Sequence, residues 1–124
     1  MKSLNVLIIE DDAIIGLLLS DIITGLGYHV AAIHMTESEA VEAAALYLPD
    51  LMIVDIQLAE GSGIGAMEQI LAERFVPHIY LSGDLKMVAD LRSRAVVIEK
   101  PFHESELIQA IRQAMTYRTA AVMN

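Results

Sequence analysis

Residues 6–12 read V-L-I-I-E-D-D, four aliphatic side chains in a row and then three carboxylates. A short run with no polar alternation suits a strand buried on both faces. The same pattern recurs along the chain. Val30–Ile33 is a second short apolar run, Leu51–Val54 a third that closes on Asp55, Ile79–Leu81 a fourth that closes on Ser82, and Val96–Ile98 a fifth just before Lys100-Pro101. Helical patterns separate the runs. Ile15, Leu18, Leu19, Ile22 and Leu26 fall at helical spacing, with Gly25 and Gly27 as a stop. Thr36 and Glu39 form a capping box, and Val41, Ala44, Ala45 and Leu48 predict the apolar face of the helix that follows, ended by Pro49. A loop rich in glycine (Gly61, Gly63, Gly65) overlaps the start of a third pattern, Ile64, Met67, Ile70 and Leu71. Leu85–Leu91 is expected to form one or two turns of a fourth helix. Leu107, Ile108, Ile111 and Met115 mark a last helix fading by Thr119.

Strand and helix thus alternate five times. That order implies parallel strands joined by right-handed crossovers, with helices on both faces of the sheet. The expected fold is α/β, an open doubly wound (βα)5 sandwich around a five-stranded parallel sheet. The 124 residues are the length of one domain, and 55% hydrophobic residues supply a core.

Composition narrows the function. Eight Lys and Arg against 17 Asp and Glu give a formal charge of −9, the wrong sign for a phosphate backbone or an anionic membrane surface. No cysteine is present, so disulfides, thiolate metal sites and cysteine catalysis are excluded. No apolar run approaches the ~18 residues of a membrane span, and Val6–Ile9 is too short for a signal-peptide core. A cytoplasmic location is the expectation.

In doubly wound sheets the ligand crevice lies at the carboxyl ends of the strands, where the strand order reverses. The polar residues gather at those ends: Glu10-Asp11-Asp12, Asp55, Ser82 and Lys100. Several carboxylates close together raise one another's pKa, and a hard divalent cation removes the conflict. Mg²⁺ suits one or two carboxylates, a carbonyl and waters, and commonly partners a phosphoryl group. Lys100 adds a compact positive charge, Ser82 a hydroxyl, and Gly83 an unobstructed backbone N–H. An aspartate in that company is equipped to accept a phosphoryl group.

With these residues in place, the chain resembles a two-component response-regulator receiver domain of the CheY-like type, from Leu4 to about Tyr117. The resemblance is carried by V-L-I-I-E-D-D (Val6–Asp12), P-D-L-M-I-V-D-I-Q-L (Pro49–Leu58), Gly63 eight residues after Asp55, I-Y-L-S-G (Ile79–Gly83) and E-K-P-F (Glu99–Phe102), each at a strand end. It implies that Asp55 is the phosphoacceptor. Asp11 would be a direct Mg²⁺ ligand, Glu10 a ligand through water, and the Gln57 backbone carbonyl would complete the protein's share of the shell. Ser82 would bind the phosphoryl group, Lys100 would pair with it, and Lys100-Pro101 would be a cis peptide. Gln57 and Asp84 match positions that steer water in dephosphorylation. Asp12 lies one place beyond the usual acidic pair. The implied partners are a sensor histidine kinase or phosphotransfer protein, and a downstream protein that the sequence does not identify. No nucleic acid or membrane is expected. On this resemblance the protein is not an enzyme beyond catalysing its own phosphoryl transfer and dephosphorylation. The chain is expected to be a single receiver over residues 1–124, with no output domain.

Two departures stand out. Receivers commonly carry an aromatic residue three places before the lysine. Here that switch position is Val97, and Tyr80, two before Ser82, is the nearest substitute. Only 17 residues separate Ser82 from Lys100, so the fourth helix is expected to be short or irregular.

Rival patterns are weaker. Gly61–Ala66 matches G-x-G-x-x-A, but five residues separate it from the strand and Glu60 would oppose a pyrophosphate. The four histidines show no ligand spacing and read as surface or loop residues, and the seven methionines read mostly as core filler. Alternatives to a phosphoacceptor are a phosphorylation-independent interaction module of the same fold, and a flavodoxin-like small-ligand binder. The latter would want a phosphate-cradling loop where this chain has carboxylates.

Overall fold

The computed structural model describes residues 3–84 and 95–123. Its elements, in chain order, are β1 (Asn5–Ile9), α1 (Ala13–Gly25), β2 (His29–His34), α2 (Glu37–Tyr47), β3 (Leu51–Asp55), α3 (Gly63–Glu73), β4 (His78–Ser82), β5 (Val96–Glu99) and α4 (Glu104–Met123). The five strands form one parallel sheet in the order β2-β1-β3-β4-β5. The expected helix at Leu85–Leu91 lies outside the described residues. Among the described residues, no helix is long and apolar enough to cross a membrane.

Side-chain alternation along the strands divides the core in two. Val6, Ile8, Leu51 and Ile53 pack with Leu19, Ile22 and Ile23 of α1 and Leu107, Ala110 and Ile111 of α4. Leu7, Ile9, Met52 and Val54 pack with Ala40, Ala43 and Ala44 of α2 and Ala66, Met67 and Ile70 of α3. So α1 and α4 cover one face, α2 and α3 the other. The three inner strands are fully buried apart from Asn5, which explains why their sequences are apolar without alternation.

The helix ends follow local chemistry. Asp12 Oδ1 accepts from Ile14 N and Ile15 N at 2.9 and 3.2 Å, capping α1. Thr36 Oγ1 accepts from Glu39 N at 3.2 Å, while Glu39 Oε1 accepts from Met35 N at 3.2 Å, one residue before the cap. Helix α1 ends at Gly25, followed by Gly27 at φ +86°.

Four expectations need correction. In α1, Leu18 and Leu26 lie 48% and 37% exposed, and the buried stripe is Gly16, Leu19, Ile22 and Ile23. In α2 the buried stripe is Ala40, Ala43 and Ala44 with Val41 half-buried against it, while the expected Ala45 and Leu48 are exposed. Alanine fills both faces of that helix, so periodicity alone did not choose between stripes one residue apart; packing chose the small side chains. The last helix runs to Met123, past Thr119. Finally, His78 is a core histidine, not a surface one. It opens β4 opposite Met52, only 6% exposed, with its ring edge-on to Tyr80 and Phe75 and Nδ1 2.7 Å from Val76 O.

Burial lowers the pKa of His78 below its ordinary 6.5, against the opposing hydrogen bond to Val76. The unfolded chain therefore takes up a proton more readily than the folded one. The resulting stability is complete above pH ~6.5 and is lost as pH falls below it. His78→Asn keeps a donor for the Val76 carbonyl and removes the titration. Urea melts from pH 7 to pH 5 should show a flatter decline in the variant than in the wild type; equal slopes would mean that His78 does not contribute.

Candidate functional site

Strand register assembles the site. Ile9 pairs with Val54, so Glu10 and Asp55 leave adjacent strand ends side by side. The sheet order reverses at this pair, with β2 to one side of β1 and β3 to the other. Asp55 pairs with Leu81, and Ser82 with Glu99, which brings β4 and β5 to the same edge. The ladder continues one residue past the strands: Glu10 N donates to His34 O at 2.9 Å, Ile56 N to Leu81 O at 3.0 Å, and Lys100 N to Ser82 O at 2.8 Å. Alternation does the rest. Ile8, Ile53 and Ile98 belong to the α1/α4 side of the core, and the residues two further on are Glu10, Asp55 and Lys100.

These three meet. Lys100 Nζ lies 2.9 Å from Asp55 Oδ2, to which it donates a hydrogen bond, and 2.9 Å from Glu10 Oε1. Glu10 is fully buried and Asp55 is 5% exposed. Burial, with the neighbouring Asp55 carboxylate adding to it, pushes the Glu10 carboxyl up to about 7; the Asp12 N–H and Lys100 pull the other way. For Lys100, burial acts to lower the pKa, but pairing with Asp55 and Glu10 outweighs it and raises the value above the ordinary range.

The remaining bonds leave capacity for a cation. Glu10 Oε2 accepts from Asp12 N at 3.1 Å, while the buried Glu10 Oε1 faces Lys100 Nζ, which it shares with Asp55. Asp55 Oδ1 accepts from Gln57 N at 3.1 Å. Glu10, Asp11 and Asp55 each place a carboxylate oxygen within 4.8 Å of the others. Hard anionic oxygens from three carboxylates, two of which share a single lysine, fit a hard divalent cation such as Mg²⁺.

The other expected residues are distributed around this core. Asp11, Asp12, Asp55, Gln57, Gly83 and Lys100 line one open cleft at the strand ends. Ser82 is buried beside it, its Oγ donating to Asp84 O at 2.7 Å and accepting from Asp84 N at 3.1 Å. Two residues after Tyr80 on β4, it shares the α2/α3 side of that strand. Asp84 itself is exposed. Lys100-Pro101 is cis. Val97 pairs with Tyr80 across β4 and β5, and Tyr80 is already inside the core, its hydroxyl pushed up to about 12 by burial and then by the charge of Glu68. Asp12 spends its carboxylate on the α1 N-terminus. Of the other histidines, His29 and His103 are exposed and His34 half-buried.

One residue close to the site carries no sequence signal. Glu37, the first residue of α2, accepts a hydrogen bond from Ser62 N, in the loop after Asp55, at 2.9 Å. Nothing local distinguishes it from any acid in a first helical turn.

Comparison with known proteins gives a consistent result. The family model for the response regulator receiver domain matches residues 6–112. The phyllosphere-induced regulator PhyR of Methylorubrum extorquens is 33% identical over 121 residues, covering 94% of this chain and 45% of that protein. The chain spans about half the length of curated relatives such as this one. The chemotaxis protein CheY of Thermotoga maritima is 31% identical, covering 88% of this chain and 95% of that one. The solution structure of the PhyR receiver domain of Erythrobacter litoralis superposes with a TM-score of 0.85 at 38% identity, covering 94% of this chain and 93% of that one.

Gly63 tests the local geometry. Its N–H donates to Ile56 O at 2.9 Å, and a Cβ at this position would overlap the Asp55 carbonyl oxygen and lie 2.7 Å from Val54 Cγ1. Those neighbours are buried strand residues with little room to yield. Gly63→Ala should lower unfolding free energy by about 1–3 kcal/mol, read as a reduced urea midpoint at unchanged m-value. A wild-type midpoint would show that the loop shifts freely.

Proposed function

The chain belongs to the response-regulator receiver domain family of two-component signalling, and from that premise we propose that Asp55 is its phosphoacceptor, in a Mg²⁺-dependent switch. The observation that carries the proposal is the position of Lys100 Nζ, 2.9 Å from both Asp55 and Glu10 with Asp11 beside them. Asp55 is held for reaction at both oxygens, Oδ1 by the Gln57 N–H and Oδ2 by Lys100. One of these oxygens attacks the phosphorus of a phosphohistidine donor. The new O–P bond forms as the P–N bond breaks, and its electron pair returns to the donor imidazole.

Glu10, Asp11, Asp55 and the Gln57 carbonyl would hold Mg²⁺. When bound, it supplies charge neutralisation for the incoming phosphoryl oxygens. Lys100 would pass from Asp55 to the phosphoryl group, and Ser82 would exchange Asp84 for the same group, with the Gly83 N–H beside it. Ser82 sits on β4 and Lys100 just beyond β5, so their shifts would bias the surface those strands support. Val97 and the buried Tyr80 lie in the path, packed in one cluster. Gln57 and Asp84 would steer the attacking water in dephosphorylation.

The partners proposed are a histidine kinase or phosphotransfer protein as donor, and a downstream protein as receiver of the signal, in the cytoplasm. Ile14, Leu17 and Leu18 of α1, 80%, 63% and 48% exposed just beyond the Asp12 cap, support docking of a protein donor next to the cleft. The 124 residues are proposed to act as one receiver unit.

Intact-protein mass after incubation with acetyl phosphate tests the proposal. A gain of one phosphoryl group is expected with Mg²⁺, strongly slowed without it, and absent in Asp55→Asn, which should fold normally. A wild-type protein that neither gains mass nor binds Mg²⁺ by calorimetry would overturn it.

A further inference from the structure

The loop between β3 and α3 leaves Asp55 and carries Gln57. Its near half is tied to the site by the Gln57 N–H on Asp55 Oδ1. Its far half is tied to a different element. Thr36 forms a parallel bridge with Glu60, and Glu37 N donates to Glu60 O at 3.0 Å. The Glu37 carboxylate then reaches across: Oε1 accepts from Ser62 N at 2.9 Å, and Oε2 accepts from Gln69 Nε2, on α3, at 2.8 Å. Both carboxylate oxygens are used, one on the loop and one on the next helix.

The loop is also shaped around this side chain. Gly61 has φ +78°, and a Cβ there would lie 2.5 Å from Glu37 Cβ and 2.6 Å from Oε1. Only glycine both adopts that backbone and leaves room for the carboxylate. The two halves of the loop are joined by an antiparallel bridge between Gln57 and Ser62, and Gly63 N donates to Ile56 O at 2.9 Å. A continuous path therefore runs from Glu37 to Ser62, across the bridge to Gln57, and on to Asp55. Removing Glu37 would leave the half-buried Ser62 N–H without its acceptor, and the turn at Gly61 would lose its charged anchor.

We infer that Glu37 is a positioning residue: its carboxylate clamps the β3–α3 loop so that Gln57 and Asp55 keep the geometry the acidic site needs. This rests on the functional reading above. Groups that orient ligands from behind typically contribute ten- to a hundredfold to metal affinity.

The test uses the full chain at a temperature where all variants are folded. Glu37→Ala should weaken Mg²⁺ binding in calorimetry by roughly tenfold and slow phosphorylation from acetyl phosphate by a similar factor. Amide exchange at Gln57 and Ser62 should accelerate even without Mg²⁺. Glu37→Gln keeps an oxygen for Ser62 N–H and should recover most of both losses. Ile23→Val, in the core under α1, should lower stability and leave Mg²⁺ affinity unchanged. Wild-type affinity and rate in Glu37→Ala would overturn the inference and reduce Glu37 to a helix-to-loop staple. Unchanged exchange at Gln57 and Ser62 would overturn the clamp itself. A wild type that neither binds Mg²⁺ nor gains a phosphoryl group would instead overturn the functional reading, and the exchange data would still decide the clamp.

Discussion

Lys100 stands between two carboxylates that the fold has taken out of water, 2.9 Å from each. Buried alone, Glu10 and Asp55 would repel one another and pay the full desolvation of two charges. One lysine serves both, and burial pushes the Glu10 carboxyl up to about 7, with the neighbouring Asp55 carboxylate adding to the shift. The site thus gathers three carboxylates around a single lysine, a hard-oxygen donor set that fits a divalent cation. Much of the surrounding structure serves to bring these three groups together and to keep them there.

The sheet does this with register. A one-residue slip between β1 and β3 would send Glu10 or Asp55 to the opposite face, into the alanine-lined packing of α2 and α3. Hydrogen bonds that continue past Ile9, Asp55 and Glu99 hold β1 in register on β2, β3 on β4 and β5 on β4 up to the edge of the site. The apolar core fixes the same register independently, since Val6 and Ile8 belong with α1 and α4 while Leu7 and Ile9 belong with α2 and α3. Core packing and site geometry are therefore two consequences of one alternation.

The loop after Asp55 has no such ladder. It is held instead by a small set of directed bonds, from Gln57 to Asp55 at one end and from Glu37 at the other. Glycine at 61 and 63 lets the loop come close enough for those bonds to form. Strand ends present the carboxylates, and a loop tied to α2 carries Gln57, whose N–H reaches Asp55. A phosphoryl group arriving on Asp55 would alter both, since it draws on Lys100 from one side and on the loop N–H from the other.

Much of this was legible in the chain itself. Apolar runs without alternation fixed parallel strands between helices, and the acids, serine and lysine at the ends of those runs fixed the edge where the site lies. These are local properties, set by side-chain hydrophobicity and by chemistry at a strand terminus. Which stripe of α2 faces inward was not legible, because alanine occupies both candidates and only the packing distance to the sheet separates them. His78 looked like a surface residue because it lies just before the apolar run Ile79–Leu81; its burial follows from its place opposite Met52 in the interior of the sheet. Glu37 is the clearest case. Its acceptors are used by Ser62 and Gln69, 25 and 32 positions away. The sequence determined the strands, their order of chemistry and the identity of the acidic centre; the tertiary structure alone decided which distant groups hold it, because a hydrogen bond between remote residues depends on the position of the chain in space and leaves no local pattern to read.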